Sequence, residues 1–358
     1  MKRLLLACTL TVSLSGCASR IATSDSPYEI AFRWEHSISD YVRSRPLVWG
    51  GTVYVGADDN ALHALETGQG EEIWSYLTED NITSSPVVVG DTLCFGSWDG
   101  NVYALNPTTG ELRWSYPTGG WVSGSPAAGE DIVYIGSHDH FFYALWAADG
   151  VLMWRTRTMG PISGGVALDD TAVYFGSMDN YVYALDRIDG SLRWRTRTRG
   201  DILGAPTVVE GTVYVGSCDH HVYALDASTG EVRWVKDVGA AVETTPAVVG
   251  NTLYVGTNGG ELLALSTRNG ARSWAFQAEA IIRSSPVIWR DLVIFGSDDH
   301  NAYALDRKTG EEVWKYTTAK AIVAAPTVSG DALYFCSSDQ PGPYGVLKQV
   351  HAFSLAER

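Results

Sequence analysis

Apolar and polar positions along this chain alternate in short bursts rather than in helical stripes. Between residues 85 and 116, Ser85–Val89 is an apolar run, Gly90-Asp91 is a turn signal, and Thr92–Gly96 is a second run. Trp98-Asp99-Gly100 interrupts the pattern and Val102–Leu105 resumes it; Thr109-Gly110 interrupts again before Glu111–Tyr116. Short runs rich in β-branched and aromatic residues, bounded by Gly and Asp, predict strands joined by tight turns. Asp bonds its own backbone there, and Gly accepts a positive φ.

The block recurs down the chain. Trp34, Trp74, Trp114, Trp154, Trp194, Trp234, Trp274 and Trp314 stand 40 residues apart without a slip. Gly56 to Gly296 and Leu65 to Leu305 keep the same step, and so does Pro46 to Pro326 with Val166 as the lone exception. A fixed period of this length marks a repeat architecture, and four antiparallel strands per repeat arranged radially make a β-propeller. Eight inner-strand segments are expected, from Val42–Pro46 to Ile322–Pro326, but no fourth strand follows the last one. The unpaired fourth strand lies at the other end, around Ala31-Phe32-Arg33-Trp34. The sequence therefore predicts an all-β, eight-bladed propeller spanning residues 28–358, closed by the amino-terminal strand completing the last blade.

The segment from Ala104 to Trp114 reads A-x-N-x-x-x-G-x-x-x-W, and it recurs as Ala224, Asp226, Gly230, Trp234 and as Ala304, Asp306, Gly310, Trp314. It resembles the tryptophan-docking motif of the PQQ-type (quinoprotein-like) repeat family. The resemblance implies that the eight periodic indoles wedge between neighbouring blades. In quinoprotein dehydrogenases of that family, pyrroloquinoline quinone sits over calcium between a tryptophan and a disulfide of two adjacent cysteines. This chain has no adjacent cysteines, so no cofactor and no enzymatic activity are expected. Fold alone does not carry function.

The amino terminus reads as an address. Lys2 and Arg3 precede an apolar stretch, Leu4–Val12, too short to span a bilayer. Leu14-Ser15-Gly16-Cys17 resembles a bacterial lipobox, which implies cleavage after residue 16 and a lipid on the Cys17 thiol. Ala18 in place of Asp favours the outer membrane, and residues 17–27 then form the lipidated cysteine and a polar tether. Removing Lys2 and Arg3 takes the formal charge from −15 to −17, which excludes a nucleic-acid partner. Cys94, Cys218 and Cys336 form no CxxC pair, so neither a redox motif nor a metal knuckle is indicated.

Candidate chemistry is sparse. His138-Asp139-His140, Cys218-Asp219-His220-His221 and Asp298-Asp299-His300 occupy the same turn of alternate blades, too far apart to share a metal. Trp98, Trp121, His138 and His140 are expected to neighbour one another on one face. Arg43, Arg45, Glu243 and Arg283 are expected near the central mouth. The same face carries the one sizeable insertion, residues 340–347, with Tyr344. Arg155, Arg157, Arg193, Arg195, Arg197 and Arg199 alternate along two outer strands, where they guard an exposed edge or meet an acidic partner. An acidic, lipid-anchored propeller of this repeat type resembles the BamB family. That resemblance implies a non-catalytic scaffold on the periplasmic side of the outer membrane, working with protein partners in β-barrel assembly as one subunit of a complex. A small-molecule-binding propeller using the central mouth is the alternative.

Overall fold

The computed structural model describes residues 21–22, 27–338 and 348–357. Cys17, Tyr344 and the signal segment lie outside the described residues, as does most of the tether. Each repeat folds as an antiparallel sheet of four strands, and there are eight sheets. In the second blade these are Val87–Val89, Thr92–Gly96, Asn101–Leu105 and Leu112–Pro117, counted from the axis outward. The inner strand is shorter than the sequence pattern implied. Segments such as Val42–Pro46 are loops, and the ladder begins one residue after the proline, at pairs such as Val87 with Cys94. Proline has no N–H to give the ladder, so it ends the loop rather than joining the strand.

The apolar residue in each loop packs inward instead. A Cβ built on Gly56 would lie 2.3 Å from Cγ2 of Ile82, so only glycine lets the next blade's loop approach this closely. Closure is as the unpaired strand predicts. Tyr28–Ile38 pairs antiparallel with Lys348–Glu357 along its whole length, with a bulge between Phe32 and Trp34, and so forms the outer strand of blade 8. Blade 7 carries a fifth strand, Ile21–Ala22, against Glu312–Thr317.

Eight hydrophobic clusters fill the eight gaps between blades. Between blades 4 and 5, Tyr174, Val182 and Trp194 meet Val213, Val215 and Leu225. The periodic indoles dock as the motif implies. Trp194 Nε1 donates to the Ala227 carbonyl at 2.9 Å, and among the described residues Trp34, Trp74, Trp114, Trp154, Trp234 and Trp274 make the same bond across 33 residues. Trp314 packs edge-on against Phe353, with ring centroids 5.4 Å apart. A buried indole needs one acceptor, and the neighbouring blade's turn supplies it.

Candidate functional site

Strand order puts the blade-to-blade loops and the turns between second and third strands on one face. There, two positions 15 residues apart face each other in every blade and form a rim around the axial mouth. The framework is constant and its chemistry varies. Arg43 pairs with Asp58 at 3.0 Å, and Arg283 with Asp298 at 2.6 Å. Trp98 Nε1 donates to Thr83 Oγ1 at 2.8 Å, and Ser123 Oγ lies 2.9 Å from His138 Nε2. Asn258 Nδ2 donates to Glu243 Oε1 at 2.7 Å. Burial pushes the Asp58 carboxyl up to about 6 although the Arg43 guanidinium pulls it down; Asp40, Asp59 and Asp80 add to the rise. Burial, and then the nearby His140, holds His138 below the usual imidazole range.

On the sector of blades 1–3 the rim becomes aromatic. Trp98 and Trp121 stack with centroids 4.8 Å apart and planes 9° from parallel. Trp121 lies 5.6 Å from the His138 ring. Trp121 is 49% exposed, so the stack is braced beneath and open above. Elsewhere on the rim, Arg43 of blade 1 and Lys348 of blade 8 both lie over the Tyr41 ring, at 5.4 and 4.6 Å. A rigid, half-exposed indole pair on a rim that also carries guanidinium groups is the composition of a binding hot spot. His140 occupies the left-handed turn position (φ 72°), and its carbonyl accepts from Thr158.

The other sequence candidates have local occupations. Asp139, Asp219 and Asp299 accept from Tyr143, Tyr223 and Tyr303 hydroxyls at 2.5–2.8 Å and cap the turn N–H groups of Phe141, His221 and Asn301. Among the described residues no group of three or more His, Cys, Asp or Glu is placed to hold a metal ion. On the outer strands, Arg195 covers Tyr181 at 4.9 Å and Arg155 covers Phe141 at 4.7 Å, while Arg197 stands opposite Tyr181 in register. Arg193 pairs with Asp186. The three described cysteines are free. Burial raises the Cys94 thiol to about 12 and Cys218 to about 11, and pushes Cys336 up further, so none is a ready thiolate.

One constellation escaped sequence reading. In blade 8, His351 Nε2 lies 2.8 Å from Ser337 Oγ, and its Nδ1 lies 3.7 Å from a Glu35 oxygen. The order of groups is that of a nucleophilic triad. Both Ser337 and His351 are buried, however, and burial depresses the imidazole to about 3, far too low for a general base near neutrality. His351 stacks on Phe335 at 5.0 Å, which makes it a core residue.

Fold, docking motif and rim define a PQQ-type repeat β-propeller resembling BamB. By its match over residues 124–342, more than half its length, the chain belongs to the family described as "Beta-alanine-activating enzyme, beta-propeller". Residues 31–142 match the family described as "Outer membrane protein assembly factor BamB". No curated protein sequence matches the chain. Among solved structures, BamB from Moraxella catarrhalis superposes with a TM-score of 0.78 at 20% identity, covering 91% of this chain and 100% of that one. A europium-containing methanol dehydrogenase gives 0.79 at 15% identity, covering 91% and 93%. The quinohemoprotein alcohol dehydrogenase from Comamonas testosteroni gives 0.76 at 15%, covering 94% and 78%. At these identities the likeness is one of fold.

Proposed function

We propose that this protein is a non-catalytic scaffold, anchored by lipid on Cys17 to the periplasmic face of the outer membrane. It docks a protein partner of the outer-membrane assembly machinery through the aromatic sector of its rim. The observation that carries this reading is the open, braced Trp98–Trp121 stack, on the same rim as Tyr41 and Arg43. All four residues fall within residues 31–142, the stretch that matches the BamB family.

The test is affinity capture from detergent-solubilised native membranes, comparing the lipidated wild type with a Trp98→Ala/Trp121→Ala variant. The reading expects an outer-membrane assembly component with the wild type, at least tenfold less with the variant, and the same urea stability to within about 1 kcal/mol. Equal capture by both proteins would refute the docking site. Capture of no assembly component would refute the function.

A further inference from the structure

In the outer strand of blade 3, Leu152–Arg157, Arg155 and Arg157 stand two residues apart, so both project from one face of the strand, about 7 Å from each other. Arg195 and Arg197 repeat the arrangement on Leu192–Arg197 of blade 4. All four are exposed. Each pair is braced by an aromatic ring rather than by an acid. Arg155 and Arg157 lie 4.7 and 6.0 Å from the Phe141 ring, and Arg195 lies 4.9 Å from the Tyr181 ring, with Arg197 opposite Tyr181 in register. The turn carboxylates Asp139 and Asp179 are taken by the Tyr143 and Tyr183 hydroxyls. Among the described residues no carboxylate forms an ion pair with any of the four, whereas Arg193 pairs with Asp186 at 2.8 Å. A guanidinium over a ring is held in place without having its charge neutralised.

Charge on an exposed edge discourages edge-to-edge pairing, but every outer strand shares that need and the doubled arginine is not shared. The same two positions hold Ser75 and Leu77 in blade 1, Ser115 and Pro117 in blade 2, and Ala275 and Gln277 in blade 6. The guanidinium groups concentrate instead on two adjacent blades of a chain whose formal charge is −15. The backbone beside them is open as well. Leu152–Arg157 and Leu192–Arg197 each end their sheet and pair on one side only. Blade 7 shows what such an edge accepts. There Ile21–Ala22 adds to Glu312–Thr317 as a fifth antiparallel strand, with Ile21 opposite Lys315 and Ala22 opposite Trp314.

We infer that the outer edges of blades 3 and 4 take an extended acidic segment of a protein partner, added as a strand, whose carboxylates at alternate positions engage Arg155 with Arg157 or Arg195 with Arg197. An extended chain repeats its side chains on one face at the spacing of each arginine pair. Opposite charges across a strand pair attract, and the planar guanidinium fork takes a carboxylate bidentately. Main-chain bonds then supply affinity, and the alternating side chains supply selectivity. A lipid surface would satisfy the charge without using the register or the open backbone. This surface lies on the outer wall rather than the rim, so it stands or falls independently of docking at Trp98 and Trp121.

The probe is a fluorescein-labelled octapeptide of alternating Glu and Thr, titrated by anisotropy into the detergent-solubilised full-length protein. A block peptide, all its Glu preceding all its Thr, has the same composition and charge without the alternation. Water-soluble dihexanoyl phosphatidylglycerol, added as a competitor, represents lipid. The expected result is saturable binding of the alternating peptide, with the block peptide severalfold weaker. Arg155→Ser/Arg195→Ser, which installs the residue that blades 1 and 2 carry at this position, is expected to weaken binding at least tenfold with an unchanged urea midpoint. Arg113→Ser, on the outer strand of blade 2, is expected to leave it unchanged. Absence of saturable binding overturns the inference, and so does binding unchanged in Arg155→Ser/Arg195→Ser. Equal binding of the block peptide would overturn the added strand, and displacement by the lipid at lower concentration than by unlabelled peptide would assign the surface to a membrane instead.

Discussion

The docking of one indole gives the sharpest test of the fold's energetics. Gly230 sits on the face of Trp194 with φ at +74°, and a Cβ there would lie 2.6 Å from Cδ2 and Cε3 of the ring. Gly211 has nearly the same φ, +70°, and nothing within 4 Å of its would-be Cβ. Replacing either by alanine forces a side chain into the left-handed region, costing about 1–2 kcal/mol. At Gly230 the methyl must also displace the indole, and overpacking adds about 1–3 kcal/mol. Gly211→Ala is therefore expected to lose about 1–2 kcal/mol, and Gly230→Ala about 2–5 kcal/mol, read as urea midpoint shifts with unchanged slope. Trp194→Ala sets the ceiling at about 3–5 kcal/mol for the cavity. The Ala227 carbonyl then still accepts from Tyr174 Oη at 3.1 Å, so no acceptor is orphaned. In the Trp194→Ala background only Thr196 Oγ1, 2.9 Å from the would-be Cβ, still crowds the methyl, so most of the excess cost of Gly230→Ala over Gly211→Ala should disappear. The coupling from this double-mutant cycle is thus about 1–3 kcal/mol. Equal losses at Gly211 and Gly230, with no coupling to Trp194, would show that the repeat glycine serves backbone geometry alone.

His351 makes acid stability a second readout. Its imidazole falls from 6.5 to about 3 on folding, so the unfolded chain binds the extra proton below pH 6.5, and stability is lost as pH drops from there toward 3. At pH 5 this amounts to about 2 kcal/mol; urea unfolding at pH 7 and pH 5 should show that much less pH dependence in His351→Phe, and identical dependence would refute the assignment. Thiol titration is a third. In the mature lipidated chain only Cys218 should react with Ellman's reagent in the native state, and slowly; Cys94 and Cys336 should react only on unfolding, and rapid modification of all three would contradict their burial.

Most of the architecture was legible because one repeat unit reports its environment eight times. A tryptophan that recurs every 40 residues meets the same groove each time, so Trp34 and Trp314 could be placed without contact information. The missing fourth strand was equally legible, since a blade's apolar outer strand has to pair somewhere, and Tyr28–Ile38 pairs with Lys348–Glu357. The inner strands were misplaced by a few residues because Ile82 and Val122 are as apolar as strand residues but pack beneath a glycine from a loop. Trp98, Trp121, His138 and His140 were expected to neighbour one another; the first three make ring contacts, while His140 takes the left-handed turn position. Ser337 with His351 was invisible, because the extra residues of the insertion lie between them in the sequence and the 40-residue period no longer aligns positions there.

The central claim is that the aromatic sector of the rim, rather than the opposite face, meets the partner. The most direct measurement places the photo-crosslinker p-benzoylphenylalanine at position 121, or at position 229 in a turn of the far face, in the lipidated protein in its native membrane. The account predicts a crosslink to an outer-membrane assembly component from position 121 and none from position 229. Capture of that component from position 229 alone, or equally from both, would contradict it.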